Sequence, residues 1–265
     1  MRAGLAELRA EPTEKRVRAL IAGRAVVDST RAMLVWEPRR VVPSYAVPVD
    51  EVRAELVPAD LQRSPEPPIL HPGIPFAVHS AGGAAYGLRV DGRVRDQAAF
   101  RPADPDLAAY VVLDFQAFDE WLEEDERLLG HPRDPFHRID IRHSSRPVRI
   151  ELDGRLLAES ARPALVFETS LPTRFYLPRA DVAAELRPSA RRTRCAYKGE
   201  ASYWSVDGAE NIAWTYESPF GEAASLTGLV AFFDELVDVT LDGERRERPR
   251  TEFSRALLEE AGVRP

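Results

Sequence analysis

Residues Lys15–Pro58 and Arg146–Pro188 are two copies of one sequence, and any fold for this chain has to accommodate both. From Val17 the chain reads VRALIAGRAVVDSTRAMLVWE; from Val148, 131 positions on, it reads VRIELDGRLLAESARPALVFE. Val, Arg, Gly, Arg, Ser, Arg, Leu, Val and Glu recur in step. After Tyr45 and Tyr176 one residue drops out, and PVDEVRAELVP (Pro48–Pro58) resumes against PRADVAAELRP (Pro178–Pro188). Such agreement, in one order and with one gap, points to a duplicated unit.

Each copy has the rhythm of short strands. Val17–Ile21 and Val148–Leu152 run into Ala22-Gly23 and Asp153-Gly154, dipeptides suited to tight hairpins that need positive φ. Return strands follow at Ala25–Asp28 and Leu156–Glu159, and third strands at Met33–Glu37 and Leu165–Glu168. Asp50–Leu56 and Asp181–Leu186 fit either a helical turn or a short strand. The 22 prolines, against 15 glycines, argue against long helices. The expectation is a mainly β chain with short helices, in two domains, 1–144 and 145–265, divided near Ser144-Ser145. Pro65–Pro75 reads as an insert in the first. The acidic run Glu120–Glu126 reads as a solvated helix face without a counterpart in the second copy. Thr251–Val263 has helical apolar spacing and is expected to pack on the body or mediate oligomer formation.

Beyond Pro58 the copies diverge. HSAGGAAYGLRVDG from His79 lies against CAYKGEASYWSVDG from Cys195, 116 positions on. Cys195, Lys198 and Glu200 then fall opposite His79, Gly82 and Ala84, and Trp214 opposite Ala98. The first copy keeps the turn glycines and drops the reactive groups.

The net charge of −7 makes nucleic acid an unfavoured partner, because binding there depends on neutralising phosphates. One cysteine forms no internal disulfide, and no apolar run reaches the length of a signal peptide or membrane span. A cytoplasmic location without membrane association is therefore expected. Ala81-Gly82-Gly83 lacks the context of a phosphate loop. His137 and His143, six apart, miss a helical metal spacing, so neither cofactor nor metal is expected.

Chemistry concentrates in Arg194–Trp204, RCAYKGEASYW. Cys195 between Arg194 and Lys198 has the setting of a nucleophile, but the five histidines all lie in the first copy or the linker, so a base would have to cross between domains. Lys198 and Glu200, two apart on a strand, would share a face and serve as an ion pair, a polar clamp or an acid–base pair. Gly199 between them would let a ligand approach closely. Tyr176, Tyr197, Tyr203, Trp204, Trp214 and Tyr216 suit pocket walls with polar tips, and Arg174 or Arg194 suits an anionic group.

The second copy resembles the family known as domain of unknown function 427. The resemblance is carried by Gly154, Tyr176, Pro178, Asp181, Val182, Cys195, Tyr197, Lys198, Gly199, Ala201, Tyr203, Trp214, Tyr216 and Pro219; the first copy resembles it in framework only. The resemblance implies tandem β-tent-like domains, small antiparallel sheets meeting at an angle over a cleft. Relatives of that fold often hold zinc through paired Cys-x-x-Cys hairpins, which one cysteine cannot supply. A small polar or anionic ligand bound by the second domain is the leading expectation. An enzyme using Cys195, or Lys198 with Glu200, is a second, and a protein-interaction module a third.

Overall fold

The computed structural model describes residues 6–61 and 69–250. The expected tail helix at Thr251–Val263 and part of the Pro65–Pro75 insert lie outside these. The chain divides into two compact units, Met1–Asp134 and Pro135–Pro265. The division falls ahead of Ser144-Ser145 because strand Ile139–His143 pairs with Ala164–Glu168 of the second unit.

The first unit contains β1 (Arg9–Pro12), β2 (Val17–Ile21), β3 (Arg24–Ser29), β4 (Met33–Trp36), β5 (Ser44–Pro48), β6 (Glu55–Ala59), β7 (Gly83–Val90), β8 (Arg93–Pro102), β9 (Tyr110–Leu113), β10 (Glu120–Glu123) and β11 (Glu126–Arg127). The second contains β12 (Ile139–His143), β13 (Val148–Leu152), β14 (Arg155–Ser160), β15 (Ala164–Glu168), β16 (Arg174–Leu177), β17 (Arg187–Cys195), β18 (Gly199–Val206), β19 (Ala209–Tyr216), β20 (Val230–Phe232), β21 (Asp238–Leu241) and β22 (Glu244–Arg245).

Each unit pairs a seven-stranded antiparallel sheet with a four-stranded one. The large sheets run β1-β4-β5-β9-β8-β7-β6 and β12-β15-β16-β20-β19-β18-β17; the small ones run β11-β10-β2-β3 and β14-β13-β21-β22. Strand for strand, the two orders are the same. The fold is therefore mainly β, with two tandem pairs of antiparallel sheets. Among the described residues no helix is long and apolar enough to cross a membrane.

The local reasons are those of the sequence. Ala22-Gly23 and Asp153-Gly154 both take positive φ, at 49° and 74° and at 50° and 78°, the paired left-handed geometry of a hairpin that continues the strand twist. The ambiguous segments resolve as single 3-10 turns at Val49–Glu51 and Arg179–Asp181, each followed by a strand. The acidic run is not a helix face: it is the β10–β11 hairpin, with β21–β22 as its counterpart. Glu123 within it is buried, accepting from the Tyr45 hydroxyl at 2.5 Å and from Lys15 Nζ at 2.6 Å.

Alternation along the strands gives each large sheet two apolar faces. One face packs into the main core. In the first unit that core includes Val17, Ala19, Val27, Leu34, Tyr45 and Trp121; in the second it includes Val148, Ile150, Leu165, Phe175, Phe232 and Val239. The opposite face carries a second cluster, Val35, Ala46, Phe100 and Val112 in the first unit and Val166, Tyr176, Tyr203, Trp214, Tyr216 and Phe233 in the second.

Register corrects the alignment of the copies. Leu34 pairs with Tyr45 and Met33 with Ala46; Leu165 pairs with Phe175 and Ala164 with Tyr176. Tyr45 therefore corresponds to Phe175, and Tyr176 to Ala46. Ala46 next pairs with Val112, which pairs with Phe100; Tyr176 pairs with Ala231, which pairs with Trp214. Trp214 thus stands where the first unit has Phe100, not Ala98. Tyr203, opposite Trp214, stands where it has Ala85. The second unit's outer face is the more aromatic and the more polar of the two.

Candidate functional site

Glu168 closes β15 and organises that outer face. Its carboxylate accepts from Lys198 Nζ on one oxygen and lies 3.0 Å from His137 Nε2 on the other. The Glu168 and Lys198 side chains are only 6% and 9% exposed, so the pair is withdrawn from water. Burial alone would raise the Glu168 carboxyl, but the Lys198 charge and the two hydrogen bonds outweigh it and hold the group at about 2. Burial likewise opposes the Lys198 ammonium, and the Glu168 charge overrides it, keeping Lys198 protonated above its ordinary range.

His137 comes from the segment leading into β12. Its ring stacks on Tyr197 with centroids 4.2 Å apart, and Nδ1 makes no hydrogen bond among the described residues. The expectation that a histidine must cross between domains is corrected here, since Pro135 opens the second unit. Neither Glu168 nor His137 was singled out by sequence as a site residue. The available signal was Glu37/Glu168, the last identity of the first matched block.

Lys198 faces inward because Ala196–Lys198 is a turn, not a strand. Gly199 then takes φ of +98°, and β18 starts on the opposite phase. Glu200 is consequently exposed and pairs with Arg194 at 3.2 Å, away from Lys198. The expected Lys198–Glu200 pair does not form, and Arg194 and Glu200 do not belong to the centre. The space over Gly199 is taken by the Ser218–Phe220 backbone, 3.5–3.7 Å from where a Cβ would stand, rather than by room for a ligand.

The aromatic residues divide between two faces. Trp214 Nε1 donates to the Tyr176 hydroxyl at 2.9 Å, and Trp214 packs on Phe233 at 4.6 Å. Tyr203 lies over Phe233 and shares a hydrogen bond with Thr193 Oγ1 at 2.8 Å. Burial pushes the Tyr176 phenol up to about 12, and Tyr216 well above its usual value. The Tyr216 ring is buried, yet its hydroxyl makes no hydrogen bond among the described residues. Trp204 points to the main core and is covered by Arg179 at 4.1 Å, so it is not a wall of this centre. Cys195 is half-buried and lies within electrostatic reach of Lys198 and Tyr216.

Arg174 is committed elsewhere. It forks onto Glu235 at 2.8 and 2.7 Å, lies 5.7 Å over the Trp214 ring and has Asp234 at 3.9 Å. It is a buried structural cation, not an open anion site. A cavity of about 290 Å³ opens beside Asp234, bounded by Ser170–Thr173, Val237, Val239 and Arg246–Pro249. None of the expected site residues lines it.

The first unit provides a comparison. Glu37, at the end of β4, is also buried; His79 Nδ1 lies 2.9 Å from one oxygen, and the Ser80 and Ala81 amides donate to the other at 2.9 and 3.1 Å. His79 is stacked on Phe100 at 3.8 Å, and its Nε2 is buried without a partner. The first copy has therefore not simply lost its polar groups. Both units bury one carboxylate under donors from the segment preceding the β7 or β18 strand. They differ in that Glu37 is sealed, whereas Glu168 leads through His137 to the surface.

Comparison with known proteins adds a family match for the second unit. A family model described as a domain of unknown function, DUF427, matches residues 140–243. That span includes Glu168, Lys198, Tyr176, Trp214 and Tyr216; His137 lies just before it. A search of curated proteins returned no match.

Proposed function

We propose that the chain is a tandem duplication in which the second unit binds a small polar molecule at the Glu168–Lys198–His137 centre, with the first unit as scaffold. The observation that carries this reading is the contrast between the two buried carboxylates. In both units the second nitrogen of the histidine makes no hydrogen bond among the described residues, but His79 Nε2 is sealed from solvent, whereas His137 is half-buried and open to solvent, and the Tyr216 hydroxyl near Glu168 is also unbonded. A solvent-reachable imidazole and a phenol that the protein leaves unbonded, beside a buried ion pair, offer a small ligand hydrogen bonds that the fold does not use.

The charge state narrows the ligand. Lys198 is neutralised by Glu168, so a bare anion gains little from its ammonium. Unused phenol and imidazole groups both donate and accept hydrogen bonds. They match a neutral molecule with adjacent donors and acceptors.

A thermal-shift series with acetamide, uracil, acetate and phosphate on the full chain tests this. Uracil or acetamide is expected to raise the melting temperature of the wild type and to lose at least about tenfold in affinity in His137→Ala, the loss of one good hydrogen bond. Stabilisation by phosphate or acetate alone, or a response unchanged in His137→Ala, would contradict the reading.

A further inference from the structure

Glu168 fixes more than the position of His137. A neutral imidazole carries one ring proton, so one nitrogen donates and the other accepts, and the partner of one settles the role of the other. Glu168 lies 3.0 Å from His137 Nε2. Burial alone would raise the Glu168 carboxyl, but the Lys198 charge and the two hydrogen bonds hold it at about 2, so it is ionised and has no proton to give. The hydrogen of this contact therefore belongs to Nε2, and Nδ1 keeps a bare lone pair. The first unit has the mirror arrangement. Burial opposes ionisation of Glu37, yet its donors hold that carboxyl below its ordinary value, and it lies 2.9 Å from His79 Nδ1. There the proton belongs to Nδ1 and the lone pair to Nε2, in a side chain only 1% exposed. The His137 side chain is 18% exposed, and its Nδ1 lone pair faces solvent without a hydrogen bond among the described residues.

We infer that His137 is a specificity-determining residue of the second unit's centre: Glu168 locks it as the Nε2–H tautomer, and the open Nδ1 lone pair selects ligands that bring an N–H donor, such as primary amides and imides, over isosteres that bring only acceptors. This rests on the small-ligand reading above and narrows it. An imidazole without Glu168 could offer a ligand either a donor or an acceptor. The locked ring offers an acceptor alone. A carbonyl oxygen aimed at Nδ1 meets lone pair against lone pair, whereas an amide N–H in the same place completes a hydrogen bond. In the first unit the equivalent lone pair is sealed, so the same carboxylate–histidine device selects nothing there.

Nitrogen NMR of the full chain carrying isotopically labelled histidine at pH 8.5, followed by titration with acetamide and with acetone, tests this. Acetone keeps the shape and carbonyl of acetamide and puts a methyl group where the amide nitrogen stands. The His137 ring, assigned by its absence in His137→Phe, is expected to show a protonated Nε2 and a bare Nδ1, and His79 the reverse. Acetamide is expected to bind at least about tenfold more tightly than acetone, the difference of one hydrogen bond. His137→Phe keeps a ring against Tyr197 and is expected to bring the two affinities within about twofold. Protonation of His137 at Nδ1, or at both nitrogens, overturns the inference. Equal affinity of the wild type for acetamide and acetone overturns it too and leaves the small-ligand reading standing, whereas absence of acetamide binding overturns both.

Discussion

Lys198→Met is expected to destabilise the second unit by about 3–5 kcal/mol at pH 7.5, because it leaves the Glu168 carboxylate buried without its cation. His137 remains on the other oxygen and keeps the loss toward the lower end. The pH dependence identifies the cause. In the wild type, Glu168 sits at about 2, below its ordinary 4.5, so its contribution is present above the unfolded value and is lost as pH falls toward 2. Without Lys198, burial dominates and the carboxyl rises, so the variant instead loses stability as pH climbs past the unfolded value. The difference between wild type and variant should therefore shrink steadily on acidification in urea melts from pH 7.5 to 3.5. The double change Lys198→Met/Glu168→Leu should recover most of the loss, since an apolar pair of similar volume avoids the desolvation cost. A loss below about 1 kcal/mol, or one independent of pH, would show that the pair is not the buried charge centre described above.

Asp234→Asn is expected to act with the opposite sign. Burial pushes the Asp234 carboxyl up to about 7, with Arg174 opposing incompletely. A group whose folded value lies above its unfolded 3.8 holds its proton longer in the native state, so stability falls as pH rises from about 4 to 7. Replacing it with a neutral isostere removes that penalty. The variant should be more stable than wild type by about 2–4 kcal/mol at pH 8, with the gain vanishing by about pH 4. Destabilisation at pH 8 would mean that Arg174 depends on Asp234 as well as Glu235.

The duplicated pattern and its turn dipeptides were enough to read the strands at β2–β4 and β13–β15, because hairpin geometry is set by local residues. What escaped was decided by register and phase. Sequence identity puts the gap between the copies after Tyr45 and Tyr176, yet cross-strand pairing matches Tyr176 with Ala46 and puts it on the outer face. Treating Ala196–Lys198 as strand put Lys198 beside Glu200; three residues of turn and one glycine at positive φ invert that phase. Trp204 was misplaced for a related reason: next to Tyr203 on one strand, it must point to the other face. Glu168 does not stand out in the sequence because its partners arrive from 31 residues before and 30 after, separations that no local pattern reveals.

The account turns on whether the unused polar groups of the second unit's outer face belong to a site or merely to a core. Tyr216→Phe separates the two with one variant and two readouts, thermal melting and the uracil or acetamide response. If the hydroxyl is a ligand handle with no partner in the protein, the melting temperature stays within about 2 °C of wild type, and ligand affinity falls at least about tenfold. A clear drop in melting temperature with the ligand response intact would contradict the proposal, because the hydroxyl would then be part of the packing that holds the sheet together.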